Sequence, residues 1–142
     1  MQSILALDPG ESTGWCFRDT NGDYSGGTLP KNHLKVAEHI ISCNPSVVVI
    51  ESFKLYPGKA QSMAWNSFYP CEVIGVIKYI CSVQNIPWIE QAPSVKKYFG
   101  GFKPDWSQVE KTAGYKRTEH VKDSYMHLKY FLLNGAKKMN IE

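Results

Sequence analysis

Residues 1–29 alternate short apolar runs with turn residues. Ser3–Leu7 is apolar and stops at a D-P-G turn, because proline lacks the N–H that a strand ladder needs. Thr13–Arg18 is a second strand-like run, and the D-T-N-G sequence after it has the residue types of a hairpin turn. Asp23–Leu29 can pair back as a third strand. The pattern therefore predicts an antiparallel meander.

The spacing of apolar residues becomes helical after Pro30. An apolar side runs from Leu34 to Ile41, up to a break at N-P-S. Val47–Ile50 is a continuous β-branched run, typical of a strand covered on both faces, and it leads directly into Glu51. Further along, the pattern predicts a loop over residues 54–70, a helix over Cys71–Val83, a strand over Ile86–Ile89, helices over Pro93–Phe99, Trp106–Ala113 and Thr118–Leu133, and a frayed tail from Asn134.

Three strands followed by alternating helices and strands predict an α/β fold. We expect one domain over residues 1–142, with a mixed five-stranded sheet flanked by helices. This order is that of ribonuclease H-like proteins, and a few other α/β folds also satisfy it. The chain is 43% apolar and 13% aromatic, which excludes a disordered protein. No apolar run approaches the about 20 residues of a membrane span, so we expect a cytoplasmic protein, of a bacterium or of a virus in its host cell, without a signal peptide.

The cysteine spacing and the distribution of charge along the chain limit the kinds of functional site that we expect. Cys16, Cys43, Cys71 and Cys81 form no C-x-x-C pair, so we expect reduced thiols rather than a zinc site. Residues 1–95 contain 6 Lys or Arg and 8 Asp or Glu, whereas residues 96–142 contain 10 and 5. An acidic first part and a basic last part suit a metal-dependent enzyme that acts on a polyanion, and ordinary surface variation explains them equally well.

Four polar side chains fall where a metal site could form. Asp8 follows the first strand and Glu51 ends the buried one, so both belong to the rim of the sheet, where α/β folds place their sites. His120 and Asp123 are three residues apart and project from one face of the last helix. If that helix packs near the first strand, the four groups converge. Two Mg²⁺ ions, or Mn²⁺ in their place, would then relieve the repulsion and support phosphodiester hydrolysis.

Each position also has a purely structural explanation. D-P-G is a common turn, Glu51 can be simply the first polar residue after a strand, and Asp123 gains from the dipole at a helix start. His127 follows Asp123 by four residues, and an Asp–His contact on the helix surface would need no function. Only the joint placement of these residues favours a metal site.

Four segments resemble RuvC-type Holliday junction resolvases, in the same order along nearly the whole chain. They are I-L-A-L-D-P-G-E-S-T-G-W at residues 4–15, V-V-V-I-E-S-F at residues 47–53, G-V-I-K-Y-I-C-S-V-Q-N-I-P-W-I-E-Q-A-P-S-V-K-K-Y-F at residues 75–99, and E-H-V-K-D-S-Y-M-H-L-K-Y-F-L-L at residues 119–133. The resemblance implies a ribonuclease H-like fold, a homodimer and Mg²⁺-dependent cutting of four-way junctions by paired nicks. It also implies that Asp8 binds both ions, Glu51 one and Asp123 the other, while His120 helps to hold a metal and to orient the attacking water.

Three departures qualify the resemblance, and one of them is Y-K-R-T at residues 115–118, in place of the usual small-residue lead into the last helix. His120-x-x-Asp123 replaces the pair of acids that many family members carry, which lowers the negative charge of the cluster. The chain is also shorter than cellular resolvases, and this suggests the compact forms of bacterial viruses. Branched DNA in general, with flaps and forks beside junctions, is therefore the expected substrate.

Contacts with DNA and with a second subunit are expected from other segments. Trp65, Phe68 and Tyr69 could stack on bases at a branch point, or could equally pack in the core or an interface. The helix over Cys71–Val83 is apolar over much of its circumference, and its Gly75 permits close approach, so we expect the dimer interface there. Phosphate contacts are expected from Lys54, Lys59, Lys96, Lys97, Lys103, Lys116 and Arg117.

Three alternatives stay open. A ribonuclease H-like module that grips branched nucleic acid without cutting it would share the fold, but it has no need for Asp8, Glu51 and Asp123 together. An actin-like ATP-binding domain also opens with an apolar strand and an Asp-x-Gly turn, but here no second glycine-rich phosphate loop follows, and the chain is too short for that two-lobed fold. Glu72 could join the metal cluster, although a charge at a helix start explains it better.

Overall fold

The computed structural model describes residues 1–10, 12–53, 69–99 and 119–135. These ranges confirm the predicted mixed sheet flanked by helices. The elements in chain order are β1 (Ile4–Asp8), β2 (Thr13–Arg18), β3 (Tyr24–Leu29), α1 (His33–Cys43), β4 (Val47–Glu51), α2 (Tyr69–Val83), β5 (Trp88–Gln91), a 3₁₀ helix (Pro93–Phe99), α3 (Glu119–Tyr130) and a π-helical turn (Phe131–Gly135).

The strands form one sheet in the order β3-β2-β1-β4-β5. β1, β2 and β3 are antiparallel neighbours, as the meander pattern predicted, whereas β4 runs parallel to β1 and β5 runs parallel to β4. The carboxyl ends of the three parallel strands therefore meet at one edge of the sheet. At that edge Leu7 pairs with Ile50, and Glu51 pairs with Gln91.

The sheet separates two apolar cores. Alternate residues of each strand point to opposite faces, so each core takes every second side chain. On one face, α1 and α2 pack against the sheet through Leu5, Leu7, Val48, Ile50, Val36, Ile40, Val73 and Ile77. On the other face, α3 covers the sheet through Ile4, Ala6, Val47, Val49, Val121, Tyr125, Leu128 and Phe131.

The last strand begins two residues later than the sequence pattern predicts. The Ile86 N–H donates to the Cys81 carbonyl, so its backbone caps the end of α2 and does not join the strand ladder. Pro87 has no N–H to donate, and the strand starts at Trp88. As a consequence β5 extends to Gln91, beyond the predicted end at Ile89.

Other boundaries also differ in detail. Tyr69, assigned to a loop by the pattern, opens α2. Pro93–Phe99 is a 3₁₀ helix, and the Val95 N–H donates to the carbonyl three residues earlier. The last helix ends in a π-helical turn that contains Asn134, the predicted start of the tail. Residues 54–68, the helix predicted over Trp106–Ala113 and residues 136–142 lie outside the described residues.

The described helices include none with the length and apolar character that crossing a membrane requires. The cysteines are free thiols, with Cys16 and Cys81 buried in the two cores and Cys71 exposed.

Candidate metal centre

Strand periodicity puts two carboxylates on the same face of the sheet. Ala6 of β1 faces α3, so Asp8, two residues further on, faces α3 as well. The same count from Val49 places Glu51 on that face of β4. Because β1 and β4 are parallel neighbours, both carboxyl groups stand at the carboxyl edge of the sheet, where the residues Asp8 and Glu51 are only 6% and 7% exposed.

A glycine lets α3 approach this edge. Gly14 of β2 pairs with Asp8, and a Cβ atom at Gly14 would lie 2.3 Å from backbone atoms of His120. Such a separation is not sterically possible, so only glycine permits α3 to begin directly over β2. The close approach brings His120 Nδ1 to 3.0 Å from Asp8 Oδ2, while 46% of the imidazole side chain stays exposed. His120 therefore lies on the solvent rim of the site.

Asp123 completes a cluster of three carboxylates. One oxygen each from Asp8, Glu51 and Asp123 lies within 4.8 Å of the others. The three acids that the sequence predicted thus meet in space, and His120 adjoins them through Asp8. Carboxylate oxygens at this spacing are ligands that suit Mg²⁺ or Mn²⁺, so the donor set fits the expected metal.

Lys96 reaches into the cluster from the 3₁₀ helix that follows β5. Its Nζ atom lies 2.9 Å from Glu51 Oε1 and 3.1 Å from Asp123 Oδ2. The sequence placed Lys96 among the phosphate contacts, but in the structure it is an ion-pair partner of two acids. Its ammonium group therefore supplies positive charge where the carboxylates would otherwise repel each other.

The pKa values of the two buried acids move in opposite directions. Burial, a hydrogen bond with Glu51 and the negative charges of Glu51 and Asp123 raise the pKa of Asp8 far above its ordinary value. Burial alone would also raise the pKa of Glu51, but the His127 imidazole, the Asp8 carboxyl group and the Lys96 ammonium group beside it lower that pKa. In the metal-free cluster Asp8 is therefore protonated more readily than Glu51.

His127 and Gln91 lie beneath the cluster, and the sequence did not identify either residue. His127 is fully buried, so it does not lie on the exposed surface of the helix, where a structural contact with Asp123 had been considered. Its Nδ1 atom lies 2.8 Å from Gln91 Oε1, and its Nε2 atom lies 3.5 Å from Glu51 Oε2. The sequence pattern could have identified His127 as a site residue: positions 120, 123 and 127 follow the i, i+3, i+7 spacing, so the three side chains lie on one face of the helix.

The other predicted site residues that the structure describes are not members of the acid cluster. Lys97 is exposed on the 3₁₀ helix. Tyr69 is 3% exposed within the α1/α2 core, so its environment is that of a core residue rather than of an exposed stacking platform. The Glu72 carboxylate lies 3.7 Å from His33 at the surface. Outside the described residues lie Lys54, Lys59, Trp65, Phe68, Lys103, Lys116 and Arg117.

Known structures share this arrangement of strands and helices. The chain aligns with Thermus thermophilus RuvC, solved in complex with a Holliday junction substrate, at a TM-score of 0.67 and 13% identity over 95% of this chain and 97% of that one. It aligns with the fowlpox virus Holliday junction resolvase at a TM-score of 0.62 and 15% identity, over 92% and 99%. Neither the models of known protein families nor the curated proteins gave a match. The chain therefore has the ribonuclease H-like fold in the form found in RuvC-type resolvases.

Proposed function

We propose that the protein is a metal-dependent endonuclease that resolves four-way DNA junctions, and cuts other branched DNA, by paired nicks. The observation that carries the proposal is the convergence of Asp8, Glu51 and Asp123 at one edge of the sheet. Buried acids that repel each other lower stability, and a function that needs them together explains their presence. Resolvases with the same fold support the choice of substrate. We place this activity in the cytoplasm of a bacterium or of an infected host cell.

Asp8, Glu51 and Asp123 would hold Mg²⁺, or Mn²⁺ in its place, as two ions that share Asp8. Bound there, the metal would supply an activated water and stabilise the leaving oxygen of the phosphodiester. Asp8 would give up its proton to become a ligand, because a metal needs the ionised carboxylate. Lys96 would exchange its ion pairs with Glu51 and Asp123 for a contact with the substrate phosphate.

His120 is suited to a role on the water side of the centre. Its imidazole is bonded to Asp8 and nearly half exposed, so it can reach a metal ligand and solvent at the same time. We propose that it helps to hold a metal and orients the attacking water. Lys97, exposed next to Lys96, would contact DNA phosphate. We propose the same for Lys54, Lys59, Lys103, Lys116 and Arg117, with base stacking by Trp65 and Phe68.

Paired nicks require two active sites, which a twofold dimer supplies. We propose that the outer side of α2 forms the interface, because Tyr79 is 68% exposed and Val83 is 55% exposed there. A Cβ atom at Gly75 would meet nothing within 4 Å among the described residues, so these residues leave room for another helix at this position. Sedimentation equilibrium of Tyr79→Lys should show monomers, whereas Thr20→Lys in the exposed β2–β3 turn should leave the dimer intact. Monomeric wild-type protein would contradict the dimer.

A cleavage assay tests the proposed activity. Labelled four-way junction, flap and plain duplex would be incubated with the wild-type protein and with Asp8→Asn, with and without Mg²⁺ or Mn²⁺. We expect symmetric nicks in the junction only when metal is present, and we expect Asp8→Asn to bind the junction without cutting it. If the wild-type protein binds but does not cut, the enzyme is excluded. If Asp8→Asn cuts normally, the proposed site is wrong.

One observation favours a second function, that of a module which binds branched nucleic acid without cutting it. Lys96 pairs with Glu51 and Asp123, and the raised pKa of Asp8 favours its neutral form, so most of the cluster's negative charge is removed without a metal. In that case metal should change neither junction binding nor thermal stability. The same assay, run beside unfolding curves with and without Mn²⁺, separates the two functions.

A further inference from the structure

Beneath the acid cluster, three polar side chains from β4, β5 and α3 form a continuous row. Glu51 and Gln91 are register partners on adjacent parallel strands. Ile89 faces α3, so Gln91, two residues further on, faces α3 as well. His127 of α3 lies between them and is 0% exposed. The row lies at the back of the proposed metal centre, away from solvent.

One end of this row is firmly anchored. The Gln91 carbonyl accepts hydrogen bonds from the Ser52 N–H at 2.9 Å and from the Ser52 hydroxyl at 3.3 Å, so the backbone of Gln91 is fixed. The Gln91 side chain meets His127 Nδ1 at 2.8 Å. This contact sets the plane of the imidazole ring and aims Nε2 at Glu51.

The other end of the row is a pair of buried atoms that face each other. Glu51 Oε2 and His127 Nε2 lie 3.5 Å apart, and neither has a hydrogen-bond partner among the described residues. This separation is too long for a well-formed hydrogen bond. An ionised carboxylate oxygen can only accept a proton, so the contact is favourable only when Nε2 carries one. A small closing movement would complete the bond and satisfy both atoms.

We propose that His127, held by Gln91, is a positioning residue that fixes the Glu51 carboxylate for metal binding. In this arrangement the ring is neutral: the Gln91 amide is turned over so that its NH₂ group, in the place of Oε1, donates to Nδ1, and the single ring proton lies on Nε2. The Nε2–H donates to Glu51 Oε2, which leaves Oε1, the atom now paired with Lys96, directed at the metal centre. This role rests on the proposed metal centre and deepens it. A ligating side chain whose orientation is already fixed by a hydrogen bond loses less conformational freedom when the metal binds. For this reason, residues that hydrogen-bond to metal ligands commonly change the metal affinity.

The test is calorimetric titration of Mn²⁺, without DNA, into the wild-type protein and matched variants. His127→Leu fills the space without a donor, and we expect its Mn²⁺ affinity to fall by about 10- to 100-fold. His127→Gln keeps an N–H near the position of Nε2, and we expect it to restore most of the affinity. Ser124→Ala is the matched control: its hydroxyl is buried on α3, and within the described ranges it donates to the Val121 carbonyl of its own helix. We expect its affinity to be unchanged.

A second measurement covers the case in which His127→Leu does not fold. In the wild-type protein, the ¹⁵N and ¹H NMR signals of the His127 imidazole should show a proton on Nε2, and Glu51→Gln should shift the Nε2 signal. A signal for Nε2 without a proton would overturn the proposal. Gln91→Leu should weaken Mn²⁺ binding less than His127→Leu does, because it removes only the anchor of the ring.

The outcomes separate this role from the proposed function. If the wild-type protein binds no Mn²⁺, the metal centre is wrong and the positioning role is overturned with it. If the wild-type protein binds Mn²⁺ and His127→Leu binds equally well, the metal centre stands and His127 has no positioning role. If Ser124→Ala loses as much affinity as His127→Leu, the effect is a general loss of packing, and the positioning role is again wrong.

Discussion

The two faces of the sheet are covered by helices, but they are built from different residues. The face under α1 and α2 is dry, with an apolar core and a polar pair, Lys78 and Glu90, at its periphery. The face under α3 has an apolar core as well, but it also buries Asp8, Glu51 and His127. Both faces are lined by alternate residues of the same strands.

Because of this alternation, consecutive residues of one strand lie on opposite faces of the sheet and have different roles. Leu7 and Ile50 are paired across β1 and β4 and pack in the dry core, while the residues that follow them, Asp8 and Glu51, stand in the acid cluster on the other face. The dry face thus supplies stability that the α3 face loses by burying acids. Substitutions on the two faces should therefore separate stability from metal binding.

The largest expected effects come from one substitution on each face. Ile77→Ala on the dry face removes a fully buried side chain, so we expect the free energy of unfolding to fall by about 2–5 kcal/mol. Its Mn²⁺ affinity should not change, because the site lies on the opposite face. Asp8→Asn should do the reverse: the metal-free protein becomes more stable, and Mn²⁺ no longer raises its melting temperature.

Urea unfolding and thermal unfolding, each with and without Mn²⁺, measure these effects. A loss of Mn²⁺ binding in folded Ile77→Ala would show that the two faces are not independent. A less stable Asp8→Asn protein would show that the acid stabilises the fold.

A smaller effect is expected where β2 and α3 touch. Gly14→Ala forces α3 away from the sheet edge, so we expect a loss of about 1–3 kcal/mol, together with weaker Mn²⁺ binding because His120 and Asp123 are displaced. Thr28→Ala in β3 is the matched control, since Thr28 pairs with Gly14 across the two strands and is exposed. Urea unfolding and calorimetric titration of both variants measure the difference. Equal behaviour of the two variants would exclude the close approach at Gly14 as the feature that places α3.

The pH dependence of stability should also distinguish the faces. Because the pKa of Asp8 is raised, its protonated form favours the folded state. This contribution to stability is fully present at a pH below 3.8, the ordinary pKa of the group, and it declines as the pH rises towards the raised pKa. Because the pKa of Glu51 is lowered, its ionised form favours the folded state. This contribution to stability is fully present at a pH above 4.5, the ordinary pKa of the group, and it is lost as the pH falls towards the lowered pKa. Between pH 5 and pH 9, then, the metal-free protein should become less stable by about 1 kcal/mol or more.

Urea unfolding at several pH values tests this slope. Asp8→Asn should flatten it, and Mn²⁺ should reverse it, because metal binding favours the ionised carboxylate. An unchanged slope in Asp8→Asn would assign the pH dependence to another group.

The smallest expected effect separates two neighbouring lysines. Lys97 is exposed, so Lys97→Ala should lower the slope of log binding constant against log salt for a DNA junction by about 0.9, one phosphate contact. Lys96→Ala removes the partner of Glu51 and Asp123, so the metal-free protein should lose stability and Mn²⁺ should stabilise it more than it stabilises the wild type. Junction binding at several salt concentrations, beside unfolding curves, tests both. If Lys96→Ala in metal-free protein also lowered the slope of log binding constant against log salt, Lys96 would be a phosphate contact, as the sequence predicted.

Simple periodicity in the sequence was enough to predict the carboxylates. Asp8 and Glu51 follow apolar strands, and His120 and Asp123 are three residues apart on a helix, so topology alone brought them to one edge. The sequence could not show how closely α3 approaches, because that depends on Gly14 meeting the backbone of a residue 106 positions away.

The roles of Gln91, His127 and Lys96 were missed for different physical reasons. Gln91 lay beyond the predicted end of β5, because hydrogen bonding of Ile86 to the end of α2 shifts the strand by two residues. His127 lies beside the apolar stripe of α3, and its burial depends on a polar partner from another strand. Lys96 looks like a solvated lysine in sequence, and only the 3₁₀ geometry turns it towards the acids.

The central claim is that the acids under α3 form a metal centre, and calorimetric titration of Mn²⁺ into metal-free protein tests it most directly. We predict saturable binding of up to two ions per chain to the wild-type protein, and loss of that binding in Asp8→Asn and in Glu51→Gln. Binding that persists unchanged in both variants, or wild-type protein that binds no Mn²⁺, would contradict the claim.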